Sequence, residues 1–351
     1  MSTYRTGGLT PPGADRVRRF RSSNWPLLLF GIFFALAGCA LYLVVGILAS
    51  ILLALDKPLV LYRIEPYVVV PAGTAVVIAI ILSLIDLFAL LPHKRQNRLV
   101  AFDHLPNRYL TVVLTAYNDE LSIGQSVGDF LNHPLVRRVI VVDNNSKDHT
   151  AQVAAAAGAT VVFEKQQGYG RCVFRGLSEG LNQPDTDLTL LCEGDMTFRA
   201  FDIDKFMAYI PHAEIVNGTR IVEQLRERDT QLTTFMYYGN FAVGKLLEAK
   251  YLGQGTFTDV GTTYKLCRNS ALAYLLPKLN SDINLAFNAH FLDMALRHRI
   301  SLVECPITFH KRVGASKGGN VDNLKAIRVG LSMIRGILSS WNTSGTRADI
   351  S

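Results

Sequence analysis

Two carboxylates stand one residue apart directly after an apolar run. The segment LLCEGDMTF, residues 190–198, places Glu193 and Asp195 on either side of Gly194. Two like charges at the end of a buried strand repel one another unless a cation or water separates them. A divalent metal ion held by both carboxylates is one explanation of this pattern, and a solvated turn is the other.

Two further polar clusters follow β-branched runs earlier in the chain. The first contains Thr115, Tyr117, Asn118, Asp119 and Glu120, and the second contains Asp143, Asn144, Asn145 and Ser146. Either cluster alone is typical of a turn or a helix cap. The carboxyl ends of parallel strands meet at one edge of a sheet, so three clusters in order predict a joint site. Such groups can bind a base and a ribose beside a metal ion.

The segments around these clusters alternate between strand and helix patterns. Strands are predicted over residues 109–117, 136–143, 159–164 and 188–195, and helices over residues 120–133, 150–158 and 172–182. Short β-branched strands that alternate with helices are typical of an α/β domain with a mostly parallel, Rossmann-like sheet. Ligands of such a domain bind at the carboxyl ends of its strands.

The chain begins with a strongly apolar region. Hydrophobic residues make up 49% of the 351 residues and charged residues only 19%, and the mean hydropathy is +0.21. Residues 26–55 carry no charge, and residues 67–92 carry only Asp86. Each run can span the ~30 Å of a bilayer's hydrocarbon, whereas a signal peptide has a shorter apolar core. We predict a transmembrane hairpin, with residues 56–65 as the connection.

Basic residues flank this hairpin on one side. They are Arg16, Arg18, Arg19 and Arg21 before it, and His93, Lys94, Arg95 and Arg98 after it. Because positive residues stay on the cytoplasmic side, we predict a protein with two spans in the cell (inner) membrane, its termini and catalytic domain cytoplasmic. Asp86 is either a functional intramembrane carboxylate or a partly hydrated, non-catalytic one.

The net charge of +7 favours an anionic partner. A phosphorylated substrate or an anionic membrane surface fits, whereas nucleic acid is disfavoured because no basic stripe is interleaved with aromatic residues. The five cysteines are scattered without a CxxC pair, which indicates reduced, mostly buried thiols rather than disulfides or a zinc site.

The last predicted helix, NLKAIRVGLSMIRGILSSW, is amphipathic. Its apolar face contains Leu324, Ile327, Leu331, Ile334 and Leu338, while Lys325, Arg328 and Arg335 lie elsewhere. This face either packs on the domain core or lies on anionic lipid, and the helix is too polar to span a membrane.

Seven motifs occur in order between about residues 110 and 319. They are VVLTAYNDELSI, VIVVDNNSKDHT, GYGRCVFRGL, CEGDMTF, NGTR, TDVGTTYKL and FHKRVGASKGG. This set resembles the family 2 glycosyltransferases, which have a GT-A fold. It is similar in particular to the polyprenyl-phosphate sugar transferases of the dolichol-phosphate mannose synthase-like branch.

The resemblance implies a site for a UDP- or GDP-linked sugar. Its donor-binding residues would be Thr115, Tyr117, Glu120, Asp143, Asn145, Lys165, Glu193, Gly194, Asp195 and Arg220. Glu193 and Asp195 match the family's Asp-x-Asp motif and would share Mg²⁺ or Mn²⁺. The sequence departs from the family's pattern at three positions. Glu193 replaces the first aspartate of the metal motif, Thr115 replaces a proline of the first motif, and Asn144 replaces the second aspartate of the motif VIVVDNNSKDHT.

The segment FHKRVGASKGG bears on the acceptor. A sugar hydroxyl needs a general base, whereas a lipid phosphate is already an anion and needs cations to hold it. The family's RxxGxSK pattern matches Arg312, Ser316 and Lys317, which would bind the phosphate of a polyprenyl acceptor. Asp195, Arg312 and Lys317 would be the catalytic residues, and Asp259 and Lys265 match further family positions.

We therefore predict a membrane-anchored, inverting glycosyltransferase that transfers a hexose-type sugar to polyprenyl phosphate, with a homo-oligomer possible. The predicted parts are a basic segment at 1–24, the spans within 25–92, a linker at 93–107, the GT-A domain at 108–319 and a helix and tail at 320–351. One alternative is a saccharide or lipid hydroxyl acceptor, with Asp293 as the base. A processive synthase is disfavoured because a QxxRW motif is missing, and a non-catalytic sugar-nucleotide-binding subunit is the remaining alternative.

Overall fold

The computed structural model describes residues 25–95, residue 100, residues 102–314 and residues 323–339. The chain forms two compact units. One consists of Phe20–Arg98 with Glu248–Gln254, and the other contains the rest of the chain. We describe each unit by itself.

The smaller unit contains two long helices. They are α1 (Leu27–Ala54) and α2 (Pro58–Leu84), and α2 continues through a π-helical turn (Ile85–Leu90) into α3 (Leu91–Lys94). Both helices are long and apolar enough to cross a membrane. They pack so closely that a Cβ on Gly38 would lie 2.8 Å from the carbonyl oxygen of Ala72, which agrees with the small residues that such helix contacts require.

The second helix begins earlier than the sequence indicated. Residues 56–65 were expected to connect the spans, but the helix already starts at Pro58. Proline is favoured at the first position of a helix, because its fixed φ suits the helix and its missing N–H costs no hydrogen bond there. The charged residues Arg63 and Glu65 therefore lie inside α2 and do not mark its first residue.

Asp86 joins the ends of the two helices. Its side chain is fully buried, accepts a hydrogen bond of 2.7 Å from the backbone N–H of Leu28 and forms an ion pair with Lys94. Lys94 also donates to the carbonyl oxygen of Trp25 at 2.8 Å. The Leu28 amide is one of the N-terminal donors that a helix cannot satisfy internally. These contacts give Asp86 a structural role within the hairpin and support the non-catalytic interpretation.

The larger unit is built on a seven-stranded sheet. The strands are β1 (Leu110–Ala116), β2 (Val136–Asp143), β3 (Thr160–Phe163), β4 (Leu188–Glu193), β5 (Ile215–Thr219), β6 (Lys265–Arg268) and β7 (Leu302–Pro306). Their order is β3-β2-β1-β4-β6-β5-β7. All neighbouring pairs are parallel except those of β6, which runs antiparallel to β4 and β5. The mostly parallel α/β sheet is confirmed.

Helices cover this sheet and connect its strands. They are α4 (Ile123–Leu131), α5 (Thr150–Ala156), α6 (Tyr169–Leu181), α7 (Asp202–Tyr209), α8 (Thr234–Lys250), α9 (Asn269–Leu275), α10 (Phe287–Arg297) and α11 (Asn323–Ser339). Every residue of β1 is buried, as expected for a central parallel strand with helices on both faces. The centre of the sheet is therefore a rigid support for the polar residues that follow β1, β2 and β4.

The buried face of helix α11 differs from the apolar face that the sequence periodicity predicted. Met333 and Ile337 are buried, whereas Leu324, Leu331 and Leu338 are 64%, 60% and 42% exposed. An amphipathic pattern shows that a helix has an apolar face but does not show which apolar residues meet the core. The predicted stripe thus remains largely on the surface.

Candidate active site

The three polar clusters meet in one cavity at the carboxyl edge of the sheet. This carboxylate cavity has a volume of about 510 Å³. Strand β1 pairs with β2 on one side and β4 on the other, with Thr115 opposite Glu193 in the register. The wall residues from these strand ends are Thr115, Ala116, Tyr117, Asp119, Asn144, Glu193 and Asp195. The predicted convergence of the clusters is therefore present in the structure.

Asp195 is held rigidly after the end of β4. The residue is 1% exposed, and its Oδ1 accepts hydrogen bonds from the backbone N–H and the hydroxyl of Thr197 at 3.1 and 2.5 Å. Met196 has a φ of 67°, in the left-handed region that non-glycine residues rarely adopt. Such backbone strain is frequent at functional sites, where it fixes the direction of a neighbouring side chain.

The middle residue of the Glu-Gly-Asp motif is small because of packing. A Cβ on Gly194 would lie 2.4 Å from Cδ1 of Ile123, a residue that is fully buried. The Gly194 N–H also donates to the carbonyl oxygen of Thr115 at 3.0 Å. The glycine thus keeps the two carboxylates close to strand β1.

We expect Gly194→Ala to lower the free energy of unfolding by about 1–3 kcal/mol, because Ile123 must leave its packed rotamer. Urea denaturation of the variant and the unchanged protein measures this difference. The double variant Gly194→Ala/Ile123→Val removes Cδ1 and should recover part of the loss. Equal stability of Gly194→Ala and the unchanged protein would contradict the packing explanation.

The pKa of Glu193 reflects its burial and its closeness to the second carboxylate of the motif. Its Oε1 accepts a hydrogen bond of 2.6 Å from the Thr263 hydroxyl. Burial, followed by repulsion from Asp195, raises the pKa of Glu193 to about 7. The protein alone thus disfavours two full negative charges at this position, and a bound cation would favour them.

Arg312 bridges two of the carboxylates. Its Nη2 lies 2.8 Å from Oδ1 of Asp119, and its Nη1 lies 2.9 Å from Oδ2 of Asp195. The neighbouring backbone is tied to the same loop, because the Val313 N–H donates to the carbonyl oxygen of Asp195 at 3.1 Å. The two carboxylates raise the pKa of Arg312 against the opposing effect of burial. The predicted catalytic pair of Asp195 and Arg312 is therefore in contact.

Glu193 and Asp195 form a donor set that suits a metal ion bound together with a substrate. The buried Oδ2 of Asp195 faces Arg312 but makes no contact with hydrogen-bond geometry among the described residues. The described part of the chain contains no group of three metal-binding side chains. Mg²⁺ is usually held by one or two carboxylates plus substrate phosphates, so these residues fit Mg²⁺ or Mn²⁺ that arrives with a diphosphate.

Asp143, a predicted donor-binding residue, ends β2 next to the wall residue Asn144 but is not itself among the described residues that line the cavity. It pairs in register with the wall residue Ala116 and is 3% exposed. Its Oδ2 accepts a 3.4 Å hydrogen bond from the Ser146 N–H, whereas its buried Oδ1 has no partner among the described residues. A buried acceptor without a donor is costly, but this oxygen is enclosed in the structure, so its predicted contact with the base or ribose stays a prediction.

Asn144, which stands where the family often has aspartate, has a structural role. Its Nδ2 donates to the carbonyl oxygen of Gln166 at 2.9 Å, and its Oδ1 accepts from the Gly168 N–H at 2.9 Å. A carboxylate has no N–H to donate to that carbonyl group. The amide therefore holds the loop before α6 against the cavity.

Not every predicted donor residue reaches the cavity wall. Asn145 and Lys165 are exposed, and Glu120 instead accepts a 3.0 Å hydrogen bond from the His149 N–H, just before α5. The family resemblance implied that Glu120 lines the nucleotide pocket, whereas the structure directs its carboxylate toward the residue before α5. Ser316 and Lys317 lie outside the described residues, so their predicted acceptor role stays a prediction.

Arg220 forms a buried ion pair with Asp259. Its Nε and Nη2 donate to the two carboxylate oxygens of Asp259 at 2.6 and 2.8 Å. Lys265 is also buried and lies 3.3 Å from Oδ1 of Asn288, and burial lowers the pKa of Lys265 to about 7. The motifs NGTR and TDVGTTYKL therefore contribute a buried ion pair and a buried lysine to the domain.

Tyr169 and Asn288 were missed by the sequence analysis. The Tyr169 hydroxyl lies 2.5 Å from Oγ1 of Thr263 and accepts a 2.9 Å hydrogen bond from Asn288. Thr263 in turn bonds Glu193, so this cluster orients the first carboxylate of the motif. The GYGR segment contained the signal for Tyr169, but Asn288 on α10 carries no recognisable pattern.

A second, apolar cavity of about 350 Å³ lies between α8 and α11. Its apolar lining includes Phe235, Met236, Val243, Ile327, Leu331 and Ile334, and its polar residues are Tyr169, Arg220, Asn240 and Asn288. Tyr169 and Leu285 line both cavities. The apolar cavity therefore adjoins the carboxylate cavity.

Asp293, the base candidate for a hydroxyl acceptor, lies elsewhere. It is fully buried within α10. It is not among the described residues that line either cavity. The structure therefore gives Asp293 no direct access to an acceptor bound in these cavities.

Known proteins similar to this chain agree with the family that its motifs resemble. A family model described as "Glycosyl transferase family 2" matches residues 111–275. The dolichyl-phosphate hexose transferase of Haloferax volcanii is 26% identical over 209 residues, which are 59% of this chain and 86% of that protein. Protein RfbJ of Shigella flexneri is 37% identical over 126 residues, 36% of this chain and 92% of that protein.

The fold also matches a solved structure. A crystal structure of a mycobacterial protein superposes with a TM-score of 0.50 at 18% identity, covering 66% of this chain and 74% of that one. With the parallel strands, the carboxylates at their ends and the matched motifs, these similarities confirm the GT-A fold. The chain belongs to glycosyltransferase family 2.

Proposed function

We propose that this glycosyltransferase transfers a hexose-type sugar from a nucleotide-diphosphate sugar to polyprenyl phosphate, with inversion at the sugar carbon. The observation that carries the proposal is the apolar cavity beside the carboxylate cavity. One cavity offers charged groups for phosphates and the other offers an apolar surface, and they share Tyr169 and Leu285. This pairing suits an acceptor that has a phosphate head and an isoprenoid chain.

The donor would bind in the carboxylate cavity. Thr115 and Tyr117 form part of its wall, and Asp143, which ends β2 next to the wall residue Asn144, would accept a hydrogen bond from the base or ribose. Mg²⁺ or Mn²⁺, when bound through Glu193 and Asp195, would supply positive charge to the donor's diphosphate. Arg312 would add a fixed positive charge near the leaving phosphate.

The acceptor side favours a phosphate over a hydroxyl. The three described carboxylates on the cavity walls already have partners: Asp119 and Asp195 pair with Arg312, and Glu193 accepts from Thr263. A phosphate acceptor needs no base, since its oxygen is already anionic. The name of the dolichyl-phosphate hexose transferase relative supports the same acceptor class. Ser316 and Lys317 would complete the phosphate site.

The membrane would present the acceptor to the enzyme. Two helices of the chain are long and apolar enough to span a bilayer, and α11 exposes Leu324, Leu331 and Leu338. Exposed apolar residues next to Lys and Arg on one helix are typical of contact with anionic lipid. We propose that both features hold the catalytic domain at the cytoplasmic face, where a polyprenyl phosphate headgroup lies.

A radiolabelled transfer assay tests this function. The full chain in neutral detergent is incubated with Mn²⁺, a panel of labelled nucleotide sugars, and either polyprenyl phosphate or the corresponding polyprenol. We expect one donor to label the phosphorylated lipid only, and a chelator to abolish the labelling until Mn²⁺ or Mg²⁺ is restored. Transfer to the polyprenol or to a saccharide, but not to the phosphorylated lipid, would refute the acceptor assignment.

A further inference from the structure

Among the described residues, one cation at the two cavities has no carboxylate partner. Three cationic residues line the cavities within the described parts of the chain, namely Arg220, Arg312 and Lys325. Arg220 is paired with Asp259, and Arg312 is paired with two carboxylates. Lys325 forms no ion pair with any residue in the described ranges, so its charge is available to a ligand.

Helix α11 contributes consecutive residues to the two cavities, beginning with Lys325. Lys325 is exposed and lines the carboxylate cavity. The next residues of the same helix, Ala326 and Ile327, line the apolar cavity. Helix α11 therefore offers a positive charge and an apolar surface within one turn. A molecule with an anionic head and an apolar chain matches this order of groups.

The donor diphosphate and the acceptor phosphate each need their own cation in this site. Arg312 already faces Asp195, beside which a diphosphate would be bound. Attack by the acceptor brings a second anion toward that diphosphate, and the two repel one another unless a separate cation neutralises the newcomer. The ammonium of a lysine is a compact, mobile charge that is well suited to a phosphate monoester.

We propose that Lys325 is a positioning residue that binds the phosphate of the acceptor lipid, with the first part of its apolar chain in the cavity between α8 and α11. This proposal rests on the proposed function. Lys325 holds the acceptor and takes no proton from it. Its loss should therefore weaken acceptor binding while leaving donor binding intact.

Steady-state kinetics in neutral detergent test this proposal with Lys325→Ala, Lys325→Gln and Lys325→Arg. Arg328→Ala is the matched control, because Arg328 is an exposed cation of the same helix and lines neither cavity. We expect the first two variants to raise the KM for polyprenyl phosphate by about 10-fold or more, as befits one charge-assisted hydrogen bond. The KM for the donor should stay within about twofold, and Lys325→Arg should recover most of the loss.

Four results would overturn the proposal. An unchanged KM for the acceptor shows that Lys325 does not bind it, and a raised KM for the donor alone assigns Lys325 to the diphosphate. An equal rise of the acceptor KM in Arg328→Ala would show that any positive charge on α11 attracts the anionic lipid, without a specific role for Lys325. If the unchanged protein does not transfer sugar to polyprenyl phosphate, the proposed function fails and this inference with it. Active unchanged protein with unaffected Lys325 variants refutes this inference alone.

Discussion

We expect Asp195→Asn to lower kcat for sugar transfer on the order of 1,000-fold. Loss of one preorganised group that stabilises the charge of the transition state has an effect of this size. The substituted amide would keep an oxygen for the Thr197 N–H and hydroxyl but would lose the negative charge that faces Arg312. Transfer activity and bound Mn²⁺, the latter by electron paramagnetic resonance, are measured on the same preparation. Both should fall together.

Asp185→Asn is the control for this variant. Asp185 precedes β4, pairs with Arg138 and is half exposed, so its loss should change kcat by less than about twofold, as for other exposed ion pairs. If Asp195→Asn keeps more than about a tenth of the activity, Asp195 is not a catalytic residue. If activity falls while Mn²⁺ binding is unchanged, the metal assignment is wrong.

Arg312→Ala is expected to abolish transfer and also to destabilise the fold. Its guanidinium separates Asp119 from Asp195, and removal of one partner from a buried ion pair costs about 3–5 kcal/mol. Arg312→Lys should lose most activity as well, because a single ammonium does not reproduce the two-pronged contact of a guanidinium. Urea denaturation and the transfer assay measure the two effects separately.

A double variant separates stability from catalysis. Arg312→Ala/Asp119→Asn removes one of the two carboxylates left without a partner and should recover part of the stability, but none of the turnover. Arg199→Ala is the matched control, because Arg199 pairs with Asp129 at 2.9 Å and lines neither cavity. It should affect stability alone. Full activity of Arg312→Ala would remove this residue from the proposed mechanism.

The first half of the sheet was predictable from the sequence. Strands β1, β2 and β4 are β-branched or apolar runs that end in polar residues, and helices separate them along the chain. Because parallel strands share an orientation, their carboxyl ends had to meet. That rule brought Thr115, Glu193 and Asp195 into one cavity without knowledge of the strand order.

The antiparallel strand β6 could not be predicted in the same way. It has only four residues, Lys265–Arg268, and its first two residues end the motif TDVGTTYKL, which drew attention to charge rather than to strand pattern. Its pairing with β4 and β5 is a long-range contact, which local periodicity does not encode. The same limit explains why the buried ion pair of Arg220 and Asp259, which lie 39 residues apart in the chain, became visible only in the structure.

Side-chain direction was the other limit. Glu120 and Tyr169 both belong to motifs that mark the site, yet one turns toward α5 and the other lines both cavities. The turn geometry after each strand decides this, and a residue type alone does not fix it. Likewise, the periodicity of α11 identified apolar residues but not that Met333 and Ile337 pack inward while Leu324 stays exposed.

Phosphorus NMR of the purified lipid product is the most direct test of the proposed acceptor. Sugar transfer to polyprenyl phosphate converts the lipid's phosphate monoester into a phosphodiester, so we predict a single phosphodiester signal that couples to the anomeric proton of the sugar. Mild acid should release the sugar and restore the monoester signal. A glycosylated lipid whose phosphate is still a monoester, or that lacks phosphorus, would contradict the proposed function, because the acceptor would then be a hydroxyl group.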